Sequence, residues 1–450
     1  MSEAMRTLRA EPLRRFKRYP AYKDSGVWWL GQIPFHWTVA RIGEFMSLIN
    51  GYPFDSEYFV RGEGVPLVRI RDLNSTETEV NYVGPVIDEA WIEAGDVIIG
   101  MDGDFNVARW RGPKALLNQR MCCVRPRSGA NAGFVTYLLP LPLKVINDLT
   151  YSTTVKHLSS HAVRKIRFGA PPESEQRAIA AFLDRETARV DALVAKKEQL
   201  IELLQEKRTA LVTRAVTKGL DPNVPLKDSG VEWLGKIPAH WDVKRLKFGA
   251  ELNPSPLELR KLSQDREVSF VPMEAVGEFG GLDLSRTKPL SDVGSGYTYF
   301  ADGDVIVAKI TPCFENGKGA LATGLANGIG FGTTELHVLR AIGGLERKYL
   351  FYLTLADAFR RLGKAEMYGA GGQKRVPESF VKNVRHPIPP IHEQRAIAAF
   401  LDRETAQIDA LIAKIREGME RLKEFRTALI SAAVTGKIDV REEAARSAVA

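Results

Sequence analysis

Residues 171–200 read PPESEQRAIAAFLDRETARVDALVAKKEQL, and residues 389–418 read PPIHEQRAIAAFLDRETAQIDALIAKIREG. Extended to 171–221 and 389–439, the two stretches are identical at 32 of 51 positions. That is far beyond chance, so the chain carries an internal repeat. The Pro-Pro pairs end whatever precedes them, because the ring fixes φ and removes a donor. Glu173, Glu175 and Glu393 then supply carboxylates where a helix dipole favours them. No proline follows until beyond Thr217 and Thr435, and only Gly418 interrupts the second copy. Each segment thus predicts one helix, roughly 65 Å long at 1.5 Å per residue.

The apolar steps are of three and four residues. They run Ile179, Phe182, Leu183, Val190, Leu193, Leu200, Leu204, Leu211 in the first copy. In the second they run Ile397, Phe400, Leu401, Ile408, Leu411, Ile415, Leu422, Phe425, Leu429. A lone helix cannot hide such a stripe, and its own copy is the obvious partner in a coiled-coil-like pair. Glu175, Gln176, Arg177, Asp184, Arg185 and Glu186 recur as Glu393, Gln394, Arg395, Asp402, Arg403 and Glu404 while apolar neighbours drift. This retention marks Gln176, Arg177, Asp184, Arg185, Gln394, Arg395, Asp402 and Arg403 as candidates for a partner surface; plain solvation is the alternative.

A second repeat precedes each long insert: KDSGVWWLGQIPFHW at 23–37 and KDSGVEWLGKIPAHW at 227–241. Its constancy suits docking of each insert on the helices, with Trp37, Trp241, His36 and His240 in the packing. The inserts, roughly 42–165 and 246–385, have diverged but share a plan. A turn and apolar strand recur at 94–98 and 302–306, strands at Val65–Ile70 and Val268–Val271, and a helix at 131–149 and 345–362. The fold class is therefore α+β: two domains joined by two long antiparallel helices, with an internal pseudo-twofold repeat. The expected divisions are 1–21 as a flexible basic tail, 22–170 as domain 1 and 171–220 as helix 1. Domain 2 follows at 221–388, helix 2 at 389–438 and a tail at 439–450.

The 450 residues carry a net charge of +8. Six Arg or Lys against Glu3 and Glu11 give residues 1–21 a net +4 of this. The remainder permits nucleic-acid binding without requiring it. Loop residues whose chemistry suits base edges or phosphates are Tyr52, Arg69, Arg71, Asn74, Asn106, Lys156 and His157 in the first insert. In the second they are Lys309, Thr311, Asn316, Lys318, Gln373, Lys374 and Arg375. The pairs Lys156-His157 and Lys374-Arg375 each stand shortly before a Pro-Pro entry.

No apolar run of eighteen residues occurs, which argues against a transmembrane helix. The three cysteines, Cys122, Cys123 and Cys313, have no C-x-x-C spacing, and a reduced cytosolic compartment is the plain reading. Phosphate-binding, methyltransferase, hydrolase and metalloprotease motifs are all missing, so the chain reads as non-catalytic, with no catalytic residue and no metal.

The motifs SGVEWLGKIPAHW, GDVIVAKITPCFENGKGA, GFGTTELHVLR and the two PP…EQRAIAAFLDRETA stretches resemble the specificity (S) subunit of type I restriction-modification systems, over about 22–438. The resemblance implies two target-recognition domains, each reading half of an interrupted double-stranded DNA sequence, with the helices as spacer. It implies docking of two methyltransferase subunits, which bring S-adenosylmethionine, and of restriction-translocase subunits, in the cytoplasm. No cofactor is expected on this chain. A scaffold for protein partners that reads no DNA sequence is the alternative.

Overall fold

The computed structural model describes residues 16–127, 129–149, 156–256, 259, 263–370 and 372–443. The chain divides into two compact units, residues 1–197 with 417–450, and residues 198–416. The predicted long helices run Glu173–Lys218 and Ile391–Val434, and Gly418 does not break the second. Both divisions fall within these helices, so each unit holds the start of one and the end of the other.

The helices are antiparallel where they pack. In the first unit Asp191 accepts from Arg426 at 2.9 Å, and Lys197 lies over Gly418. In the second, Arg208 pairs with Asp409, and Val212 and Val216 share a core with Ile397 and Leu401. The two ion pairs occupy the same repeat positions with the roles of the copies exchanged. Arg208 is buried and lies over the Phe279 ring at 5.2 Å, whereas Arg426 is half-exposed. On these helices Val190 and Met419 are buried in the first unit, and Ile408, Ile412 and Ile415 in the second. The buried set is narrower than the stripe predicted. Leu193, Leu200 and Leu411 are 42 to 45% exposed, and Leu204 and Leu422 are only half-buried. A straight helix turns part of such a stripe away from any single neighbour.

The inserts, unlike in sequence, are built alike. In the first unit an antiparallel sheet orders Val107–Arg109, Val97–Gly100, Met121–Pro126 and Met46–Asn50. In the second, Gly319–Leu321, Val305–Ala308, Leu336–Ala341 and Ala250–Leu252 repeat that order. Each unit adds a mixed sheet around one parallel pair, Val65–Val68 with Ala115–Leu117, and Glu267–Val271 with Ile329–Gly332. The apolar runs VIIG and VIVA are fully buried, as an unbroken hydrophobic strand requires. The aspartate preceding each is fixed by an arginine on the neighbouring strand of the sheet: Asp96 takes Arg125 and Asp304 takes Arg340. Each predicted single helix is two. Ala132–Leu138 stops before Pro140 starts the next, and Arg347–Leu355 stops at Ala356, whose backbone is extended.

At the root of each insert two strands pair, Thr38–Arg41 with Arg167–Ala170 and Asp242–Arg245 with Arg385–Ile388. Beside them stands the repeated tryptophan motif. Trp37 and Trp241 are wholly buried, and each donates its indole N–H to the first-turn carboxylate of a long helix. Trp37 reaches Glu175 at 3.0 Å and Trp241 reaches Glu393 at 2.9 Å. His36 and His240 bind the same carboxylates. A glycine with left-handed backbone ends each long helix under the tryptophan of the same unit, Gly436 under Trp37 and Gly219 under Trp241. At Gly436 a Cβ would also strike Pro34.

Both ends of the described chain depart from the expected tails. Residues 16–21 are not a loose tail: Tyr19 is buried and donates to Glu175 at 2.6 Å, and Phe16 meets Phe182 edge-on. Nor do residues 439–443 trail away, since Val440 is buried and Asp439 bridges Lys17. Both stretches lack a periodic pattern because they are held by single contacts, not by a face. Residues 1–15 and 444–450 lie outside the described residues. Among the described residues no helix is long and apolar enough to cross a membrane.

Candidate nucleic-acid interface

The core strand after each Gly-Asp turn leads into a loop, and in both units the basic pair from later in the sequence lies against that loop. In the first unit Asp102 forms a backbone bridge with His157, and Leu158 donates its N–H to Met101 at 2.7 Å. In the second, Ile310 bridges Arg375 and Val376 donates to Lys309 at 2.8 Å. The two basic pairs therefore occupy corresponding places, as their positions in the sequence suggested.

Their chemistry differs. Asp102 draws in His157 Nδ1 at 2.7 Å and Arg120 at 3.3 Å. In the second unit the acid and base have changed elements: Arg375 forks onto Glu335 at 2.8 to 3.2 Å. That fork holds the Glu335 carboxyl below the usual range. Lys156 is turned inward to Asn147, at 2.6 Å from its carbonyl and 2.9 Å from Oδ1. Thr311 donates to Gly372 O at 2.8 Å, Asn316 to Glu278 at 3.3 Å and Lys318 to Met273 O at 3.0 Å. These side chains shape the loops.

Others stand free on these loops. Lys309, Gln373 and Lys374 in the second unit, and Asn106 in the first, make no side-chain hydrogen bond or ion pair among the described residues, and all but the half-buried Lys309 are exposed. Tyr52 is exposed on the strand exit beside Asn118, edge-on to Phe54 at 5.1 Å. Arg69 and Arg71 belong to a separate turn on the mixed sheet, where both are drawn to Glu79 at 2.7 and 3.1 Å. Arg69 is thereby largely covered, and Arg71 remains exposed. Asn74 follows that turn and lines a cleft with Arg109, Tyr137, Asp184 and Arg426. Arg109 and Arg111 are exposed, without a side-chain hydrogen bond or ion pair among the described residues; neither is singled out in the sequence, Arg109 because it ends an apolar strand and Arg111 although the turn signal Gly112-Pro113 follows it.

The retained helix residues separate into two groups. Gln176 and Gln394 are buried and are no partner surface: their amides close the joint between helix and insert. Gln176 accepts from Asn131 N at 2.9 Å and donates to Pro171 O at 2.9 Å. Gln394 accepts from Glu346 N at 2.7 Å and donates to Pro389 O at 2.8 Å. Asp184 and Asp402 are part of the same joint, each accepting a tyrosine hydroxyl at 2.7 Å, from Tyr137 and Tyr352. Burial, joined by the Asp184 carboxylate and opposed by the Thr187 hydrogen bond, pushes the Tyr137 phenol up to about 12. Identical joints require identical residues, which explains their retention without a partner. Arg177, Arg395 and Arg403 remain exposed, with Arg177 paired to Glu173 and Arg403 to Glu404; Arg185 is half-buried beside Phe182. Among the described residues no group of three or more His, Cys, Asp or Glu is placed to hold a metal ion.

Residues 34–203 and 295–421 match the family described as the type I restriction modification DNA specificity domain. The specificity subunit of the type I restriction enzyme EcoAI of Escherichia coli is 38% identical over 201 residues, 44% of this chain and 33% of that subunit. The chain thus spans about a third of that relative. The EcoBI specificity subunit of Escherichia coli is 26% identical over 420 residues, 89% of this chain and 86% of that one. A solved chain described under complex assembly and conformational transition of the type I R-M system shares the fold, with TM-score 0.66 at 18% identity, over 89% of this chain and 98% of that one.

Proposed function

This chain belongs to the type I restriction-modification DNA specificity family, and from that premise we propose that each unit reads one half of an interrupted double-stranded DNA target. The observation that carries the reading is the repetition of one two-sheet plan with different side chains on corresponding loops. A scaffold with no sequence to read has no reason to keep the sheets and exchange the loops. Lys309, Gln373, Lys374 and Asn106 are the side chains left free for bases or phosphates, with Tyr52, Asn74 and Arg71 on neighbouring turns. Arginine and lysine suit guanine edges and phosphates, and asparagine and glutamine suit adenine.

The chain is the non-catalytic reader of its complex. Two methyltransferase subunits dock on it, carry S-adenosylmethionine and modify the target, and restriction-translocase subunits join them in the cytoplasm. The exposed Arg177, Arg395 and Arg403 on the long helices are the side chains of the retained set available to these subunits. The test is footprinting of the chain with its methyltransferase subunit on host DNA containing the methylated sequence. Two protected patches separated by an unprotected spacer are expected. One continuous patch, or binding indifferent to sequence, would overturn the reading.

A further inference from the structure

In each unit the second of the two short helices, which in the second unit also pairs its exposed Lys364 with Glu315 of the loop at 3.1 Å, sends a side chain to a backbone carbonyl of the reading loop. In the first unit this is Asn147, on the helix Pro140–Leu149; its amide donates to Gly103 O and its Oδ1 accepts from Lys156 at 2.9 Å. One side chain thus ties the loop at Gly103 to the basic pair. In the second unit it is Arg360, on the helix Asp357–Ala365. Its guanidinium donates to Phe314 O at 2.8 Å from Nη1 and to Thr354 O at 2.6 Å from Nε. It also lies over the Phe314 ring at 4.7 Å, and that ring packs where Gly363 has no side chain.

Arg360 is an expensive way to fill space. It is 9% exposed, its Nη2 has no hydrogen-bond partner among the described residues, and burial lowers its pKa to about 9. Replacing a buried charge by an apolar side chain of similar volume is often neutral or stabilising, so stability alone does not account for it. What the guanidinium adds is direction, because it ties the Phe314 carbonyl of the loop to the helix. Counted from the equivalent tyrosines Tyr137 and Tyr352, the position of Arg360 corresponds to Val145 in the first unit. The same task is therefore met by a different residue two positions further on, about half a turn round the helix. That is the pattern of a feature adapted to each loop separately, unlike the joint residues, which are identical.

Building on the reading above, we infer that Asn147 and Arg360 are positioning residues for specificity, each setting the loop of its own unit and hence the discrimination of one half-site. Neither needs to touch DNA.

The test uses the full chain with its methyltransferase subunit and measures methylation of the mapped target and of targets mismatched in one half. The halves are assigned to units by exchange of the first insert. Arg360→Met keeps the volume and removes the donors. It should lower discrimination in the second unit's half about tenfold, a loss within the range of one good base contact, and leave the other half and the melting temperature unchanged. Asn147→Ala should do the reverse. Arg360→Lys, which retains a donor, should recover part of the loss. Unchanged discrimination, or equal loss in both halves, overturns the inference. If Arg360→Met does not fold, Asn147→Ala decides alone, since Asn147 sits near the surface. A wild-type complex that methylates without regard to sequence would overturn the parent reading instead.

Discussion

Replacing Glu175 by leucine removes the acceptor at the centre of the first unit's joint. Its carboxylate is buried and takes three bonds: Tyr19 Oη at 2.6 Å, Trp37 Nε1 at 3.0 Å and His36 Nε2 at 2.8 Å. Burial and the neighbouring carboxylate keep the Tyr19 phenol protonated, so its donor is present throughout the working pH range. After Glu175→Leu the Trp37 indole and the Tyr19 hydroxyl are left buried with no acceptor, at about 1–3 kcal/mol each. His36 is 41% exposed and turns to water at little cost. Relief from burying a carboxylate offsets part of the sum, leaving about 3 kcal/mol. Glu393 is less buried and serves one enclosed donor, Trp241, so Glu393→Leu should cost about 1–2 kcal/mol. Hydrogen exchange with mass spectrometry resolves the two units. Peptides from 16–41 and 436–443 should open about 100-fold faster in Glu175→Leu, while those from 227–245 stay as in the wild type. Unchanged protection in the first unit would refute the network as the joint's main support, and so would equal losses in both.

Acid should weaken the second unit. His386 is enclosed, and burial pushes its imidazole down to about 4. The folded value lies below the unfolded one, about 6.5, so the unfolded chain binds the proton more tightly. The stability tied to it is complete above about 6.5 and is lost as pH falls toward about 4, up to about 3 kcal/mol in all. His386→Leu should flatten that slope in denaturant unfolding followed at successive pH values, with His337, also lowered by burial, keeping a remainder; an unaltered slope would contradict the assignment. Lys374→Ala should weaken binding to all DNA alike and lower the salt slope by about one, read from affinities at several salt concentrations. Arg375→Ala should instead lower the melting temperature, because it strips Glu335 of its fork, and a melting temperature equal to that of Lys374→Ala would argue against that pairing.

The architecture was legible because its signals are repeated. The 171–221 copy, the proline entries and the spacing of Ile179, Phe182 and Leu183 fixed the helices to within a few residues. The buried strands announced themselves as VIIG and VIVA. The joint was half-visible: the tryptophan motif and Glu175 both recur, but nothing in one dimension shows that they meet. Gln176 reads as a partner residue for the same reason, since retention does not distinguish a face shown to a partner from one closed on its own insert. Single-contact segments, 16–21 and 439–443, gave no pattern at all. At the loops, residue chemistry identified Lys374 and Arg375 equally. Only the position of Glu335, far away in sequence, separates the free lysine from the engaged arginine.

Modular reading of DNA is the central claim, and exchange of residues 42–165 for the first insert of another family member tests it most directly. The methylated bases of a host carrying the hybrid are mapped and compared with those of the parent. The account predicts that one half of the interrupted sequence changes while the other half stays the same. A hybrid that folds and methylates with both halves altered, or with neither altered, would contradict it.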